Sequence, residues 1–454
     1  MKGRLVVWIL MLAGVASVLH SASYFDVEVP EWLLSVSRLC IWLALIIYAF
    51  RKGSLTTWIL IGMILGTETG FHFPEFAQNL QILSKIFLTL IKTVIAPILF
   101  STLVVGIAGH SDIRQVGRMG WRSLLYFEVV TTIALLIGVF AINLTGAGKG
   151  IELPKDFHQE LPEVKAQSWQ DMILHIFPEN IVKSIYHGDV LPIVVFSVLF
   201  GISLAMVSEE KRKPVLHFSE GLAETMFKFT RIIMYFAPVG VGAAIAVTVG
   251  HLGIGILTSL LKLLATLYGA LIVFIVGVLL PIALWVKVPI RKFIKAVAEP
   301  ASIAFATTAS EAALPKALEN MEKIGVPRKI ASFVLPTGYT FNLDGSTLYL
   351  SLAAIFTAQA AGITLSTGEQ VLMILSLMLT SKGIAGVPRA SLVILAGTVT
   401  SFGLPLWPVM AILGIDELMD MARTAVNLIG NCLATIVIAR WEGEYKEPDG
   451  EVDF

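Results

Sequence analysis

Six polar residues near the C-terminus, Asp416, Asp420, Arg423, Thr424, Asn427 and Asn431, fall at offsets of −4, 0, 3, 4, 7 and 11 from Asp420. At ~100° per residue, a helix gathers these directions into an arc of roughly 100°, one polar stripe on an otherwise apolar segment. An ionisable group at the centre of a membrane helix costs about 2.5–3.5 kcal/mol on insertion scales, so such groups need partners or a ligand. A structural Asp–Arg pair at i, i+3 satisfies two of them, but leaves the Thr and Asn residues of the same stripe unexplained. A ligand carrying both an ammonium and a carboxylate would use them all. Asp420 would take the ammonium, and Arg423 the carboxylate as a bidentate fork.

A second constellation is "LPTGYTFNLDGSTLYL", Leu335 to Leu350. Pro336, Gly338 and Gly345 weaken a helix at its centre. Unwinding there frees carbonyl oxygens beside Asn342 and Asp344, surroundings suited to a hard cation; the alternative is a kinked helix with a satisfied Asn–Asp pair. The stretch "PASIAFATTASEAALP", Pro300 to Pro315, supplies Thr307, Thr308, Ser310 and Glu311. At a tight tip, free N–H groups and a helix N-terminus bind carboxylates. Burial favours the uncharged form of a carboxyl, which makes Glu311, and Glu128 within "LLYFEVVTT", candidates for carrying a proton. For both, a protonated structural hydrogen bond is the competing reading.

The elements that must position these groups belong to a helical membrane protein. The chain has 454 residues, of which only 15% are charged, and a mean hydropathy of +0.81, too little polar surface for a soluble protein of this size. Several apolar runs reach the ~18–20 residues that span a hydrocarbon core. The short alternating strands of an outer-membrane barrel are absent. Basic clusters at Lys2/Arg4, Arg51/Lys52, Arg114/Arg118/Arg122, Lys211/Arg212/Lys213, Lys287/Arg291/Lys292/Lys295 and Arg328/Lys329 alternate with acidic or neutral connections. By the positive-inside rule this places both termini in the cytoplasm. Cys40 and Cys432 both lie in apolar runs, which argues against a disulfide framework.

The run Leu5 to Leu19 reads as a membrane helix, with a signal peptide cleaved after Ser21-Ala22-Ser23 as the alternative. Further spans are expected at about Trp32–Phe50, Leu55–Thr67, Ile82–Ala108, Leu124–Leu144, Ile181–Val207, Leu222–Val249 and Ile254–Val286, with an external loop between Gly148 and Glu179. The Pro300–Pro315 stretch is too short to span and lies between two cytoplasmic clusters, as a re-entrant hairpin would. A second broken stretch, Val371 to Leu404, carries the tip "SKGIAGVPRAS" with Lys382 and Arg389, on the outside by charge parity. Each precedes a polar helix, Phe333–Ala358 and Ile415–Ala439. That arrangement predicts an inverted repeat with its binding site at the midplane. The fold class is therefore all-α, multi-spanning, with two re-entrant hairpins and inverted repeats.

The motifs "TGYTFNLDGSTLY", "TSKGIAGVP" and "DMARTAVNLIGN" resemble the dicarboxylate/amino acid:cation symporter family, with the strongest likeness to bacterial proton–glutamate symporters. The resemblance covers about Leu55 to Tyr445. It implies a homotrimer that moves as an elevator. Residues 1–53 would be extra membrane segments, 54–253 mainly scaffold (with the Glu128 helix joining the mobile part), 254–440 the transport domain and 441–454 a cytoplasmic tail. The same resemblance implies substrate contacts at Ser310, Ser346, Val387, Asp420, Arg423, Thr424 and Asn427, with Val387 closing over the ligand.

The departures bear on the coupling ion. Asn431 stands where sodium-coupled members have an aspartate, which removes a hard anionic ligand. Phe127 and Val130 supply no oxygen where a second sodium site has ligands. Thr308 and Met421 stand where such members keep an extra arginine, and Leu350 at the glutamate that animal members use for proton coupling. Proton coupling through Glu311 or Glu128 is the expectation. A degraded sodium site of Gly338, Asn342, Asp344, Asn427 and Asn431 is retained as possible. Members carrying plain dicarboxylates lack the aspartate of "DMAR", and neutral amino acid carriers lack its arginine. With both Asp420 and Arg423 present, the expected substrate is glutamate or aspartate, with a C4-dicarboxylate as the alternative. With no HExxH and no nucleophile–base pair visible, an enzyme is not expected. Neither a cofactor nor nucleic-acid binding is expected.

Overall fold

The computed structural model describes residues 11–12, 14–19, 29–109, 113–151, 177–187, 190–383 and 390–448. Every regular element among them is helical and no strand occurs. An apolar chain in lipid must satisfy its backbone within each segment, and a helix does so. The N-terminal half contains α1 (Glu31–Lys52), α2 (Leu55–His72), α3 (Pro74–Asn79), α4 (Gln81–Ala108) and α5 (Ile113–Thr145). It continues with α6 (Ile181–His187), α7 (Val190–Met206), α8 (Glu209–Met234) and α9 (Ala237–Leu252). Next come α10 (Ile256–Phe274) and α11 (Leu280–Trp285), joined by a π-turn at Ile275–Leu279. The rest of the chain forms α12 (Ile290–Thr307), α13 (Ser310–Lys323), α14 (Arg328–Phe341) and α15 (Asp344–Ala360). It ends with α16 (Thr367–Thr380), α17 (Ala390–Ser401), α18 (Trp407–Leu413) and α19 (Asp416–Trp441). Among the described residues, four helical stretches are long and apolar enough to cross a membrane, and the bent pair α8–α9 makes a fifth.

Several expected boundaries are corrected. The run read as one span, Leu222–Val249, bends by 53° between α8 and α9, because Pro238 opens α9 and can donate no backbone N–H there. The span expected to end at Thr67 continues to His72. The carboxylate of Glu68 within that extra turn lies 3.6 Å from Arg38 on α1 and 3.3 Å from His72. The Ile254–Val286 span is continuous but contains the π-turn just ahead of Pro281, a local widening that accommodates the missing donor. Within the run Ile181–Val207, α6 and α7 are described on either side of residues 188–189, which lie outside the described set. The loop expected from Gly148 to Glu179 lies almost wholly outside it too.

Helices α2 and α9 approach more closely than ordinary side chains permit. Gly62, Gly66 and Gly70 form an i, i+4, i+8 row, and a Cβ built on each would lie 2.1–2.5 Å from a backbone oxygen of α9. Small residues in membrane helices let backbones pack in this way.

Both broken stretches form helical hairpins. In the first, α12 and α13 run against one another and Asn320 Nδ2 donates to Ala296 O across them at 2.7 Å. The hairpin extends beyond the Pro300–Pro315 stretch, from Ile290 to Lys323, and the turn is confined to Thr308–Ala309. In the second, α16 begins with a capping box between Ser366 and Glu369. It passes into a 3₁₀ turn at Ser381–Gly383, and α17 returns after residues 384–389, which lie outside the described set.

The core surrounds α15, buried along nearly its whole length and packed against α5, α10, α16, α17, α18 and α19. Beyond α19, residues 442–448 lie across the base of α13 and α14. Lys446 N donates to Gly325 O at 3.1 Å, Glu444 pairs with Lys329 at 2.8 Å and Glu447 with Lys292 at 3.5 Å. Gly325 has φ 104°, and a Cβ there would lie 1.8 Å from Lys446 O, so only glycine fits.

Candidate functional site

The stripe read from the sequence lies on α19, which packs against both arms of the first hairpin and both halves of the broken α14–α15 element. Side chains on a helix lean toward its N-terminus, so Arg423 reaches back over two turns of its own helix. Its Nε donates to Asp420 Oδ1 at 2.8 Å, Nη1 to Asp416 Oδ1 at 3.0 Å and Nη2 to Asp416 Oδ2 at 3.4 Å. The Tyr349 ring lies 4.2 Å from the guanidinium carbon, a cation–π contact within the usual range. Arg423 and Asp416 are fully buried.

Asp420 and Arg423 thus make the i, i+3 pair that the sequence offered beside ligand binding, with Asp416 completing the arginine's fork. Asp416 belongs to the stripe, yet its part as the bidentate partner at i, i+7 was not foreseen. The long arginine stem, leaning back along the helix, makes that reach possible.

The rest of the stripe ties α19 to the helix break. Thr424 Oγ1 donates to Asp420 Oδ1 at 3.2 Å. Asn427 Oδ1 accepts Gly345 N at 2.7 Å and Ser346 N at 3.2 Å, while its Nδ2 donates to Ser346 Oγ at 3.0 Å. Asn427 thus caps the N-terminus of α15 from a neighbouring helix. Gly345 permits this approach, since a Cβ there would lie 2.5 Å from Arg423 O.

The break falls at the centre of the Leu335–Leu350 stretch, where the sequence places it. Pro336 and Gly338 lie within α14, and the helix opens at Asn342–Leu343, both outside helical dihedrals. Asn342 Nδ2 bonds Asn431 Oδ1 at 3.0 Å and Asp344 Oδ2 at 3.3 Å. These local side-chain bonds compete with the helix and explain why it parts there. Gly338 lies directly beneath Asn431, whose Oδ1 would be 2.1 Å from a Cβ on Gly338. Asn342 Oδ1 and Asp344 Oδ1 are buried without a hydrogen-bond partner, costly for acceptors in a dry interior. Asn342, Asp344, Asn431 and Gly338 therefore form one oxygen-rich cluster, whereas Asn427 is committed to the α15 cap. Among the described residues, no group of three or more His, Cys, Asp or Glu converges as a metal site.

Ser310 is buried at the first residue of α13. The turn before it uses Thr308 at φ 53°, ψ 25°, a conformation costly for a β-branched residue and concentrated at functional sites. Glu311 lies in the first turn of α13, and its side chain is outside the described set, as is Val387. Glu128 was read as buried. Its side chain is instead 45% exposed, and its Oε2 lies 3.1 Å from Lys382 Nζ at the second hairpin. A cavity of about 320 Å³ lies away from these groups, where Lys85 on α4, His251 on α9 and Trp407 on α18 meet.

A family model described as the sodium:dicarboxylate symporter family matches residues 55–441. The chain is 44% identical over 411 residues to the proton/sodium-glutamate symport protein of Bacillus caldotenax, covering 88% of this chain and 97% of that protein. It is 42% identical over 417 residues to the proton/glutamate-aspartate symporter of Escherichia coli (strain K12), covering 87% and 94%. Identity to C4-dicarboxylate transport protein 1 of Mesorhizobium japonicum is 40% over 403 residues, covering 87% and 84%.

Proposed function

The chain belongs to the sodium:dicarboxylate symporter family, and from that premise we propose that it takes up glutamate and aspartate together with protons. The observation carrying this reading is the buried triad on α19. Arg423 is held between Asp416 and Asp420, one helix face away from Ser346 and the α15 cap. An acidic amino acid presents an ammonium and carboxylates, the same chemical types that Arg423 and its partners present to one another. Binding then exchanges like for like. The substrate ammonium replaces the guanidinium on Asp420, and its side-chain carboxylate replaces an aspartate on Arg423, so no buried charge is left alone. Ser346, Thr424, Asn427 and the backbone at Ser310 hold the remaining groups, and Val387 closes over them. Plain C4-dicarboxylates have nothing to offer Asp420.

An acidic amino acid carries one net negative charge, and a cation travelling with it makes the buried cargo neutral. Glu311 is the proton-carrying candidate; Glu128, 45% exposed and paired with Lys382, lacks the burial on which its proton role rested. The orphan oxygens of Asn342 and Asp344, with Gly338, Asn431 and nearby Asn427, support one possible sodium position. Residues 254–440 form the moving part, including both hairpins, and residues 54–253 form mainly the scaffold of a homotrimer, with the α5 segment around Glu128 joining the moving part. Movement is of the elevator type. The charge pattern supports an inner-membrane location with both termini cytoplasmic.

The test is uptake of labelled glutamate into proteoliposomes under imposed gradients. A proton gradient alone should drive accumulation, and Glu311→Gln should remove that dependence. Accumulation driven by sodium only, at equal pH on both sides, would overturn the coupling. Succinate uptake equal to that of glutamate and unaffected by Asp420→Ala would favour a C4-dicarboxylate carrier.

A further inference from the structure

Lys382 stands in the 3₁₀ turn that ends the first arm of the second hairpin, and the proposed substrate site makes no use of it. Its side chain is only 14% exposed. Three oxygens from two other elements converge on its ammonium. Glu128 Oε2 on α5 lies at 3.1 Å, Thr131 Oγ1 one turn further along α5 at 2.8 Å, and Phe341 O, the last carbonyl of α14 before the helix break, at 3.3 Å. The Thr131 hydroxyl donates its own proton to Phe127 O at 2.6 Å, which turns its lone pairs toward the ammonium. Phe341 O is a helix-terminal carbonyl at the negative end of α14.

This donor set is chemically familiar. One carboxylate, one hydroxyl and one helix-end carbonyl are the hard oxygen ligands that alkali and alkaline-earth cations take. Their summed charge of one negative unit asks for a monovalent occupant. A lysine ammonium is a compact point charge on a flexible stem, so it meets the same requirement without leaving the chain.

We propose that Lys382 is an ion-selectivity residue: its ammonium is the resident cation of a monovalent-cation position built by Glu128, Thr131 and Phe341 O, and thereby keeps sodium out of it. The lysine travels with the second hairpin, so the cation that ties this hairpin to α5 and to the helix break is part of the protein. It need not be recruited from solution at each cycle. Asp344 of the neighbouring oxygen cluster also attracts the Lys382 ammonium electrostatically, but among the described residues no hydrogen bond joins the two. The inference refines the proposed cation coupling, but its readout is sodium binding and requires no transport.

The experiment measures the melting temperature of the full chain in detergent, without substrate, while sodium chloride replaces choline chloride at constant ionic strength. Lys382→Met and Lys382→Gln remove the charge. The Gln amide can still donate to Glu128 and Thr131, which provides a second variant should Met disturb folding. Both should gain a sodium-dependent rise in melting temperature beyond that of the unmodified chain. Lys382→Arg should not gain it, and adding Glu128→Gln to Lys382→Met should abolish the gain. A folded neutral variant with the sodium response of the unmodified chain would overturn the proposal. So would failure of both neutral variants to fold, because the lysine would then serve stability alone. Absence of glutamate uptake by the unmodified chain, with the sodium gain present in the variants, would sink the transport reading and leave this one standing.

Discussion

Two cations of this molecule sit among oxygens, and the origins of those oxygens differ. Arg423 draws its partners from its own helix, Asp416 and Asp420 being two turns and one turn back along α19. Lys382 draws its partners from elsewhere, from α5 and from the end of α14, with Thr131 lying 251 residues away in the chain. The arginine cluster is therefore a property of one rigid element and survives any movement of that element as a body. The lysine cluster exists only while the second hairpin rests on α5. One pair stores charge within a helix, and the other reports whether two elements touch.

Removing Arg423 attacks the first cluster most severely. Arg423→Ala leaves two carboxylates buried together, and breaking such a pair costs about 3–5 kcal/mol. Glutamate uptake should vanish, with a large fall in melting temperature in the purified protein. If the melting temperature holds while uptake is lost, the aspartates have found other partners and the like-for-like exchange is wrong. Arg423→Lys should not restore uptake, because a point charge cannot make the fork to Asp416.

Asp416→Asn is the sharper variant. It removes one side of the fork and leaves Asp420 paired, with an expected loss of about 1–3 kcal/mol. KM for glutamate should change more than the response of melting to sodium, since the fork and the oxygen cluster at Asn342 are separate. The smallest effect is expected from Thr131→Ala, which deletes one neutral partner of Lys382 at about 1 kcal/mol. Hydrogen exchange should then rise in the second hairpin and remain unchanged in α19. Equal changes in both would erase the distinction between the two clusters.

Much of this was legible in the sequence, for a physical reason. Polar residues inside apolar runs are costly, so Asp420, Arg423, Asn427, Asn342 and Asp344 stood out and led to the helices where the structure gathers them. The turn at Thr308–Ala309 and the second hairpin were visible as small-residue interruptions. Less legible was anything set by packing between distant segments. The bend between α8 and α9 falls inside the apolar stretch that runs from Ile232 to Val249, marked there by Pro238. The exact opening of the broken helix depends on Asn431 of α19 reaching Asn342, which no local pattern reveals. The pairing of Lys382 with Glu128 has no sequence signature at all. The glycine row on α2 was readable as spacing, but a row gains meaning only once a partner helix lies against it.

The strapped chain end has its own consequence. Because Glu444 and Lys446 hold Lys329 and Gly325 at the junction of the first hairpin with the broken helix, the final turns behave as a tie-rod bolted to machinery far upstream in the chain. A proteolytic nick just after Trp441 would leave every residue of the proposed substrate site in place, yet unfasten the base on which that hairpin stands.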